Sequence, residues 1–330
     1  MPDPSSFRLS GSVRDGMPVL CIHDAGDLSP GGFDAALTFG SGQCFRWRPA
    51  PTRESPDRFA GVAGGRRAAM SAGRGGRDIV IENAREDDFR AFWHRYLDLG
   101  TDYAPITERV RTDDYMRGAV GFACGARLLR QEFEETLLSY ILSARNNIPR
   151  VMNLADALSA RFGKRIAAVL PDDRDTPVHA FPSAAAIADG LCPDPGRECG
   201  FGQGHAGGAC GRAFGGYRCP YVAGTAGMLA AGAYRPDLVR LASLPADEAR
   251  AELKALPGVG DKVADCALLY GGVRTDVCPV DTWVARVVRD VWLGPDASLR
   301  AIMDFAAERF GPYAGYAQFW FFTYARKSRG

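Results

Sequence analysis

The residue with the clearest chemical potential is Lys262, which lies in the otherwise apolar helical pattern DKVADCALLY directly after the turn PGVG. It stands one helical turn before Cys266, on the same face of that helix. A lysine at a helix start commonly extends its ammonium into water, and this ordinary explanation stays open. Where burial removes part of that water, the ammonium form is disfavoured and the neutral amine becomes a nucleophile. Lys262 is therefore a candidate for covalent catalysis.

The second candidate is Asp281, in the segment PVDTWVARVV. Aspartate is a favoured N-cap, so helix capping alone could account for it. A capping carboxylate is also fixed in orientation and ionised. It can therefore stabilise the positive charge that develops on a sugar while a glycosidic bond breaks. Because the two roles are compatible, we expect Asp281 to be both a cap and an electrostatic partner of Lys262.

Both residues depend on a pair of helices joined by a tight turn. The pattern ADEARAELKAL ends at Pro257, and Gly258, Val259 and Gly260 lead into the helix of Lys262. Glycine permits positive φ and close backbone approach, and the free N–H groups at a helix start bind anions. A DNA phosphate fits such a site without sequence preference. Taken alone, the turn fits a simple corner between two helices equally well.

Length and composition are those of an ordinary globular protein with one or two domains. The chain has 330 residues, of which 46% are hydrophobic and 24% charged, and its net charge is +1. A polyanionic ligand would have to meet a local basic surface, since the bulk charge is nearly zero. No secretory segment precedes the nine cysteines, and no apolar run is long enough to cross a bilayer. These features predict a soluble protein of a reducing compartment, without membrane contact.

The first hundred residues predict strands. FRWRPA, RFAGVAG and DIVIEN are short extended segments, and the polar start, MPDPSSFRLSGS, is expected to be frayed. A helix is predicted after a capping box formed by Asn83 and Glu86. Four aromatic residues at helical spacing form its apolar face: Phe89, Phe92, Trp93 and Tyr96.

Beyond Pro105 the pattern becomes helical, with helices predicted over 131–144 and 149–162 and in the final segment GYAQFWFFTYAR. We therefore divide the chain into a β-rich domain, residues 1–105, and a helical domain, residues 106–330. A segment rich in glycine and cysteine, residues 190–216, shows neither helical nor strand periodicity and is interpreted as an insertion in the helical domain.

Five motifs follow one another in the chain: SGQCFRW (41–47), LLRQEFEETLLSYILSARNNIPR (128–150), GGYRCPY (215–221), the hairpin with Lys262 and PVD (256–283), and FGPYAGYAQFWFF (310–322). Together they resemble the 8-oxoguanine DNA glycosylase family of the helix-hairpin-helix DNA glycosylase superfamily, over roughly residues 35 to 327. The resemblance implies an α+β fold, in which an antiparallel sheet like that of the TATA-box-binding protein precedes a mostly helical domain with the hairpin.

The same resemblance implies that the protein excises 8-oxoguanine from duplex DNA in base excision repair. Lys262 would attack the anomeric carbon of the extruded nucleotide, and a Schiff base followed by β-elimination would make the enzyme an AP lyase as well. Asp281 would stabilise the oxocarbenium ion. Trp283 replaces a histidine that is often found two residues after this aspartate, which leaves an acid-base role at that position in doubt. The implied partner is double-stranded DNA, bound by a monomer that requires no cofactor.

Four residues carry over from the resemblance as the pocket for the extruded base. The backbone carbonyl of Gly42 would accept the N7–H that distinguishes 8-oxoguanine from guanine. Cys266 and Phe322 would sandwich the base, and Gln318 would bind its Watson–Crick edge. Since Gln318 and Phe322 are four residues apart, they lie on one helical face and can line one pocket.

The resemblance also implies residues that contact the opposite strand. Arg145 and Asn146 belong to the wedge that fills the gap left by the extruded base. Arg145 departs from the family, whose best-known members have an asparagine there. Arg150 and Arg218 match the arginines that hold the unpaired cytosine, and Tyr217 matches the aromatic residue beside it. We expect the preference for cytosine opposite the lesion to survive this departure.

The insertion contains several metal-binding residue types, namely Cys192, Cys199, His205 and Cys210. They could supply a zinc site, but no C-x2-C pair is present, and a loop with unligated thiols is the favoured alternative. The iron–sulfur cluster of related endonucleases needs four cysteines after the catalytic domain, whereas the last cysteine of this chain is Cys278. The sequence therefore predicts that this cluster is missing.

Three other functions compete with this interpretation. One is a related glycosylase for another damaged or mispaired base, and another is a DNA-binding module without catalysis. The third is an unrelated helical enzyme that shares only the turn and has no affinity for DNA. The presence of both Lys262 and Asp281 favours an enzyme. We expect it to act in the bacterial cytoplasm at the nucleoid, or in the nucleus of a eukaryote.

Overall fold

A computed structural model describes residues 2–173, 177–191 and 216–328. An antiparallel sheet of six strands forms the N-terminal part, and helices dominate the rest, which confirms the predicted α+β class. The strands are β1 (Arg8–Arg14), β2 (Met17–His23), β3 (Trp47–Pro49), β4 (Phe59–Ala63), β5 (Arg66–Gly73) and β6 (Asp78–Glu82). Their order across the sheet is β1-β2-β6-β5-β4-β3. A separate short ribbon pairs β7 (Arg165–Ile166) with β8 (Val178–His179).

The expectation of a frayed start is wrong for residues 8–14. Strand β1 pairs with β2 along its whole length, from Arg8 opposite His23 to Arg14 opposite Met17. The two-residue turn between them has positive φ at both positions, 51° at Asp15 and 80° at Gly16, and such turns match the twist of a hairpin. The polar composition of β1 reflects an exposed outer strand of the sheet.

The predicted capping box of Asn83 and Glu86 is also wrong. Asn83 has a φ of 60°, and its side chain donates to the backbone carbonyl of Arg67 at 2.7 Å, so it terminates a strand. The helix begins at Glu86, and the Asp88 carboxylate accepts from the N–H of Arg85 at 2.9 Å. The four aromatic residues of the predicted apolar face are nevertheless buried: Phe89, Phe92, Trp93 and Tyr96.

The described helices of the first half are α1 (Ala35–Gly40), α2 (Glu86–Asp88), α3 (His94–Tyr96), α4 (Ala104–Val110), α5 (Asp114–Ala123), α6 (Phe133–Leu142) and α7 (Ile148–Phe162). A π-helical turn, Phe89–Trp93, joins α2 to α3. The two helices predicted over 131–144 and 149–162 are confirmed as α6 and α7. Asn147 caps α7 by accepting from the N–H of Arg150 at 2.9 Å, and the helix ends at Gly163 as expected.

The helices of the second half are α8 (Ala184–Gly190), α9 (Cys219–Ala230), α10 (Leu238–Ser243), α11 (Ala246–Leu253), α12 (Asp261–Tyr270), α13 (Thr282–Val288), α14 (Leu299–Phe310) and α15 (Ala314–Ser328). A second π-helical turn, Arg289–Leu293, continues α13. Within the described residues, no helix combines the length and the apolar character that crossing a bilayer would require.

Two large buried clusters form the core. One consists of sheet and helix residues between positions 20 and 99, together with Leu129. The other consists of helical residues between positions 103 and 325, together with Phe45. Leu129 and Phe45 thus each join the cluster of the opposite part of the chain. The domain boundary between residues 105 and 106 stays a prediction.

Candidate active site

The turn of the helical hairpin joins α11 to α12 and needs its first glycine. Gly258 has a φ of +76°, and a Cβ atom there would lie 2.6 Å from the Cβ of Tyr221. The carbonyl of Pro257 before it accepts from the Thr225 hydroxyl at 2.8 Å, which fixes the turn on α9. Gly260 is the N-cap of α12, and a Cβ atom on it would meet nothing within 4 Å. This side of the turn is therefore open to a phosphate.

Lys262 points into the protein rather than into bulk water. Its Nζ donates to the hydroxyl of Ser143 at 3.0 Å and lies 4.6 Å from the centroid of the Tyr140 ring. Tyr140 belongs to α6, and Ser143 is the C-cap of that helix. The side chain is half-buried, so α6 holds the amine at the edge of the interior.

Cys266 lies one turn after Lys262 and is 2% exposed. Burial raises the pKa of its thiol to about 12, against the opposing effect of the positive charge of Lys262. The negative charge of Asp281 acts on the same thiol and adds to the rise. Cys266 is therefore a neutral thiol that lies within reach of both candidate catalytic charges.

Asp281 is the N-cap of α13, as its sequence context predicts. Its carboxylate accepts from the N–H of Val284 at 2.8 Å, and its carbonyl accepts from Ala285 at 2.9 Å. The side chain is half-buried. Burial chiefly, with the Asp281 charge as a smaller cause, raises the pKa of Tyr140 well above its usual value. The carboxylate thus acts on the same tyrosine that contacts Lys262.

Gly42 lies in the loop between α1 and β3 with a φ of +94°. A Cβ atom there would lie 2.3 Å from Cδ1 of Ile148, at the start of α7. Its carbonyl accepts from the hydroxyl of Tyr140 at 3.3 Å. Only glycine fits this close approach between the sheet-side loop and the helical part without displacing a neighbour.

The neighbouring Gln43 explains why the loop is held in place. Its Nε2 donates to the carbonyls of Thr38 and Arg127, at 2.8 and 2.9 Å. Its Oε1 accepts from the N–H of Leu129 at 2.8 Å. The amide is 2% exposed and bonds to both parts of the chain, so it fixes Gly42 against the helices.

Helix α15 contributes three side chains at successive turns. Gln318 is 3% exposed and accepts from the hydroxyl of Tyr270 at 3.4 Å, while Phe322 is half-buried. Arg326 donates to the carbonyl of Ser41 at 2.7 Å, and its guanidinium lies 5.5 Å from the Phe322 ring. Burial lowers the pKa of Arg326, against the effect of Asp281. The three side chains are four residues apart and therefore lie on one face of α15. Arg326, on the last turn of that face, connects α15 to the loop of Gly42.

Comparisons with known proteins find DNA glycosylases, the class of enzyme that the sequence motifs resemble. Residues 27–137 match a family model described as the N-terminal domain of 8-oxoguanine DNA glycosylase. A probable N-glycosylase/DNA lyase of Methanothermobacter thermautotrophicus is 40% identical over 113 residues. That alignment covers 34% of this chain and 35% of the relative, so the chain spans about a third of that protein's length.

Longer matches extend over most of the chain. The N-glycosylase/DNA lyase OGG1 of Arabidopsis thaliana is 27% identical over 299 residues, which are 86% of this chain and 74% of the relative. An 8-oxoguanine glycosylase/lyase of Clostridium acetobutylicum, solved with double-stranded DNA containing cytosine opposite 8-oxoG, superposes with a TM-score of 0.79. It is 29% identical, over 98% of this chain and 99% of that one. The chain is therefore similar to 8-oxoguanine DNA glycosylases over most of its length.

The residues that family resemblance assigns to the opposite strand form one surface, which we call the wedge surface and define as residues 144–150 and 217–218. Arg145 is exposed and has a φ of +48°, which is rare for residues other than glycine and asparagine. Asn146 donates to the carbonyl of Leu142 at 3.3 Å. Arg150 is exposed on the first turn of α7.

Within this surface, Tyr217 and Arg218 lie directly before α9 and bond to the 144–150 segment. Arg218 is 5% exposed and donates to the carbonyls of Ala144 and Arg145, at 2.6 and 2.9 Å. The Tyr217 hydroxyl donates to Ala144 at 3.1 Å, although the residue is 54% exposed. The guanidinium of Arg218 lies 4.4 Å from the Tyr217 ring centroid. Arg218 therefore supports the 144–150 part of the wedge surface.

Trp283 and the proposed zinc ligands are the remaining sequence candidates. Trp283 is 36% exposed, and the guanidinium of Arg286 lies 5.5 Å from its ring. The four proposed zinc ligands fall outside the described residues: Cys192, Cys199, His205 and Cys210.

The described residues also contain one group with the composition of a metal site. It consists of Cys21, His23 and Asp78, whose candidate ligand atoms lie within 4.8 Å of one another. Both oxygens of Asp78 already accept from Arg74, and one accepts from the N–H of Asp24 at 3.0 Å. A hydrogen-bond network that closes this part of the sheet therefore accounts for the cluster.

Four residues of the site were not predicted from the sequence: Tyr140, Ser143, Tyr270 and Arg326. Arg326 could have been found, because it continues the four-residue spacing of Gln318 and Phe322 on one helical face. The contact between Lys262 and Ser143 joins residues 119 positions apart. No local pattern signals a contact of that kind.

Proposed function

We propose that the protein is a bifunctional DNA glycosylase and AP lyase that excises 8-oxoguanine from duplex DNA. The observation that carries this proposal is the inward orientation of Lys262, whose Nζ lies against Ser143 and the Tyr140 ring. A non-catalytic DNA-binding module would have no use for an amine in that position. The similarity to 8-oxoguanine glycosylase/lyases supports the same conclusion.

The first step is base excision from an extruded nucleotide. The neutral amine of Lys262 attacks the anomeric carbon C1′ and forms a C–N bond, while the bond between C1′ and the base nitrogen breaks. The base leaves with the bonding electrons and takes up a proton. Positive charge develops on the sugar during this exchange, and the fixed carboxylate of Asp281 stabilises it.

The second step is strand cleavage. The lysine–sugar adduct opens the sugar ring to a protonated Schiff base, which acidifies the hydrogens on C2′. Loss of one of these protons expels the 3′ phosphate by β-elimination, and water then releases Lys262. The chemistry uses only groups of the protein, so we propose that no cofactor is required. Zinc in the insertion at 190–216 stays a prediction.

The proposed partner is double-stranded DNA, which the hairpin turn of Gly258, Val259 and Gly260 would hold by a phosphate. Arg150 and Tyr217 lie exposed on the wedge surface, where the opposite strand would pass. We propose that a monomer performs the reaction. Its substrate would lie in the nucleoid of a bacterium or the nucleus of a eukaryote.

Single-turnover assays with 8-oxoguanine opposite each of the four bases test this proposal. We expect release of 8-oxoguanine and cleavage of the strand, fastest opposite cytosine. A duplex with undamaged guanine in the same sequence is the control. Failure to release 8-oxoguanine, or equal release of guanine, would contradict the proposed substrate, and equal rates opposite all four bases would contradict the role assigned to the wedge surface.

A further inference from the structure

Two stacked tyrosines lie between the nucleophile and the base pocket. Tyr140 on α6 and Tyr270 on α12 have ring centroids 5.5 Å apart and planes inclined by 14°. Both are almost fully buried, at 4% and 5% exposed. Burial raises the pKa of each hydroxyl well above its usual value, so both remain hydrogen-bond donors at any physiological pH.

The hydroxyl of Tyr140 donates to the loop that would recognise the lesion. Its single proton is shared between the carbonyl oxygen of Gly42, at 3.3 Å, and that of Gln43, at 3.2 Å. A carbonyl oxygen has two lone pairs, so Gly42 can accept from Tyr140 and still accept a second hydrogen bond from a base. The ring of the same tyrosine faces Lys262, at 4.6 Å from Nζ.

The hydroxyl of Tyr270 has a different target. It lies 3.4 Å from Oε1 of Gln318, the residue assigned to the Watson–Crick edge. That edge is the same in guanine and in 8-oxoguanine, whereas the two bases differ at N7, where guanine has a lone pair and 8-oxoguanine an N–H. Tyr140 therefore supports a contact that distinguishes the two bases, whereas Tyr270 supports a contact that both bases make.

We propose that Tyr140 is the positioning residue that sets the discrimination between 8-oxoguanine and guanine, by fixing the Gly42 carbonyl against the helices. Tyr270 positions Gln318 and affects both bases equally. This inference rests on the proposed function. A carbonyl that is held in place repels the N7 lone pair of guanine, whereas a carbonyl that is free to turn away removes this penalty.

Binding measurements on uncleavable duplexes test the proposal. Equilibrium affinities are compared for 2′-fluoro-8-oxoguanine and 2′-fluoro-guanine opposite cytosine, with wild type and with Tyr140→Phe. Losing one hydrogen bond of ordinary strength, about 1 kcal/mol, lowers the affinity ratio by roughly fivefold to tenfold. Tyr270→Phe is the matched control, since it removes an equally buried hydroxyl. It should weaken binding of both duplexes and leave their ratio at the wild-type value.

If Tyr140→Phe does not fold, a second variant that retains the ring and the hydroxyl still tests the inference. Replacing Tyr140 by 3-fluorotyrosine makes the hydroxyl a stronger donor, and we expect the ratio to increase. An unchanged ratio in both Tyr140 variants overturns the inference, as does an equal fall of the ratio in Tyr270→Phe. A wild-type protein that does not distinguish the two duplexes, and does not excise 8-oxoguanine, refutes the proposed function instead.

Discussion

The proposed base pocket and the wedge surface differ in how their residues are held. In the pocket, Cys266 and Gln318 are at most 3% exposed, and Gly42 is fixed by bonds from Tyr140 and its neighbour Gln43. On the wedge surface, Arg145 and Arg150 are exposed, and a backbone with positive φ carries Arg145. Close packing defines the pocket, while a few hydrogen bonds define the wedge.

This difference explains why an arginine is tolerated at position 145. A substitution in the pocket creates a clash or an unpaired buried group, either of which costs free energy that the fold cannot recover elsewhere. At position 145 the side chain is exposed, so an arginine there costs backbone strain alone. The buried Arg218 beneath it, bonded to two carbonyls, maintains the loop.

Among substitutions that keep the nucleophile, the largest effect is expected at Asp281, where capping and catalysis can be separated. Asp281→Asn keeps an oxygen for the N–H of Val284 but removes the charge, so the excision rate should fall by about a hundredfold or more. Asp281→Ala loses the cap as well and should also lower the free energy of unfolding by about 1 kcal/mol. Single-turnover rates and denaturant titrations measure the two effects. Excision by Asp281→Asn at the wild-type rate would contradict the electrostatic role.

A smaller loss is expected for Gly42→Ala. A side chain is strained at its φ of +94°, and a Cβ atom would lie 2.3 Å from Ile148 Cδ1, so we expect the loop to shift together with the Ile148 side chain. We expect the excision rate to fall by roughly tenfold and stability by about 1–3 kcal/mol.

Gly16→Ala is the matched control, since Gly16 has a φ of +80° but no atom within 4 Å of its Cβ position. It should lose stability through backbone strain and excise at the wild-type rate. If the two variants lose excision activity equally, the pocket argument is wrong.

On the wedge surface, Arg218→Ala should have the larger effect. It removes the donors to Ala144 and Arg145, so the loop loses its support and the preference for cytosine opposite the lesion should fall by about fivefold to tenfold. Rates opposite the four bases, measured in parallel, quantify this preference. Arg218→Lys keeps the charge without the planar fork and should not restore it. A wild-type profile in Arg218→Ala would show that the loop does not depend on this residue.

The smallest effect is expected for Arg145→Asn. Asparagine adopts positive φ more readily than arginine, so the free energy of unfolding should rise by up to about 1 kcal/mol. Because the side chain is exposed, excision opposite cytosine should stay within a factor of about three of wild type. Thermal unfolding and single-turnover rates provide the comparison. A loss of activity greater than that of Arg218→Ala would reverse the order of these two residues on the wedge surface.

The sequence predicted those parts of the site that depend on local patterns. Gly258, Lys262 and Cys266 lie in one hairpin, and the capping role of Asp281 is visible from the residues that follow it. The spacing of Gln318 and Phe322 placed both on one face of α15. Each of these inferences requires only the geometry of one helix or one turn.

Other features depend on contacts between distant parts of the chain. Tyr140 and Ser143 have the pattern of ordinary residues of α6, because nothing near them indicates that Lys262 will face them. Strand β1 was missed because its exposed, polar residues lack the alternation of a half-buried strand. The Asp15-Gly16 turn was the available signal, and it should have outweighed the composition.

The central claim is that Lys262 is the nucleophile, and borohydride trapping followed by peptide mapping tests it most directly. The chain has only four lysines, Lys164, Lys254, Lys262 and Lys327, so a covalent adduct with an 8-oxoguanine duplex can be assigned to one of them. Lys254→Gln is the matched control, because that residue lies on the same hairpin and forms an exposed ion pair with Asp261 at 2.6 Å. We predict an adduct on Lys262 in wild type and in Lys254→Gln, and none in Lys262→Gln. An adduct that persists in Lys262→Gln would contradict the mechanism.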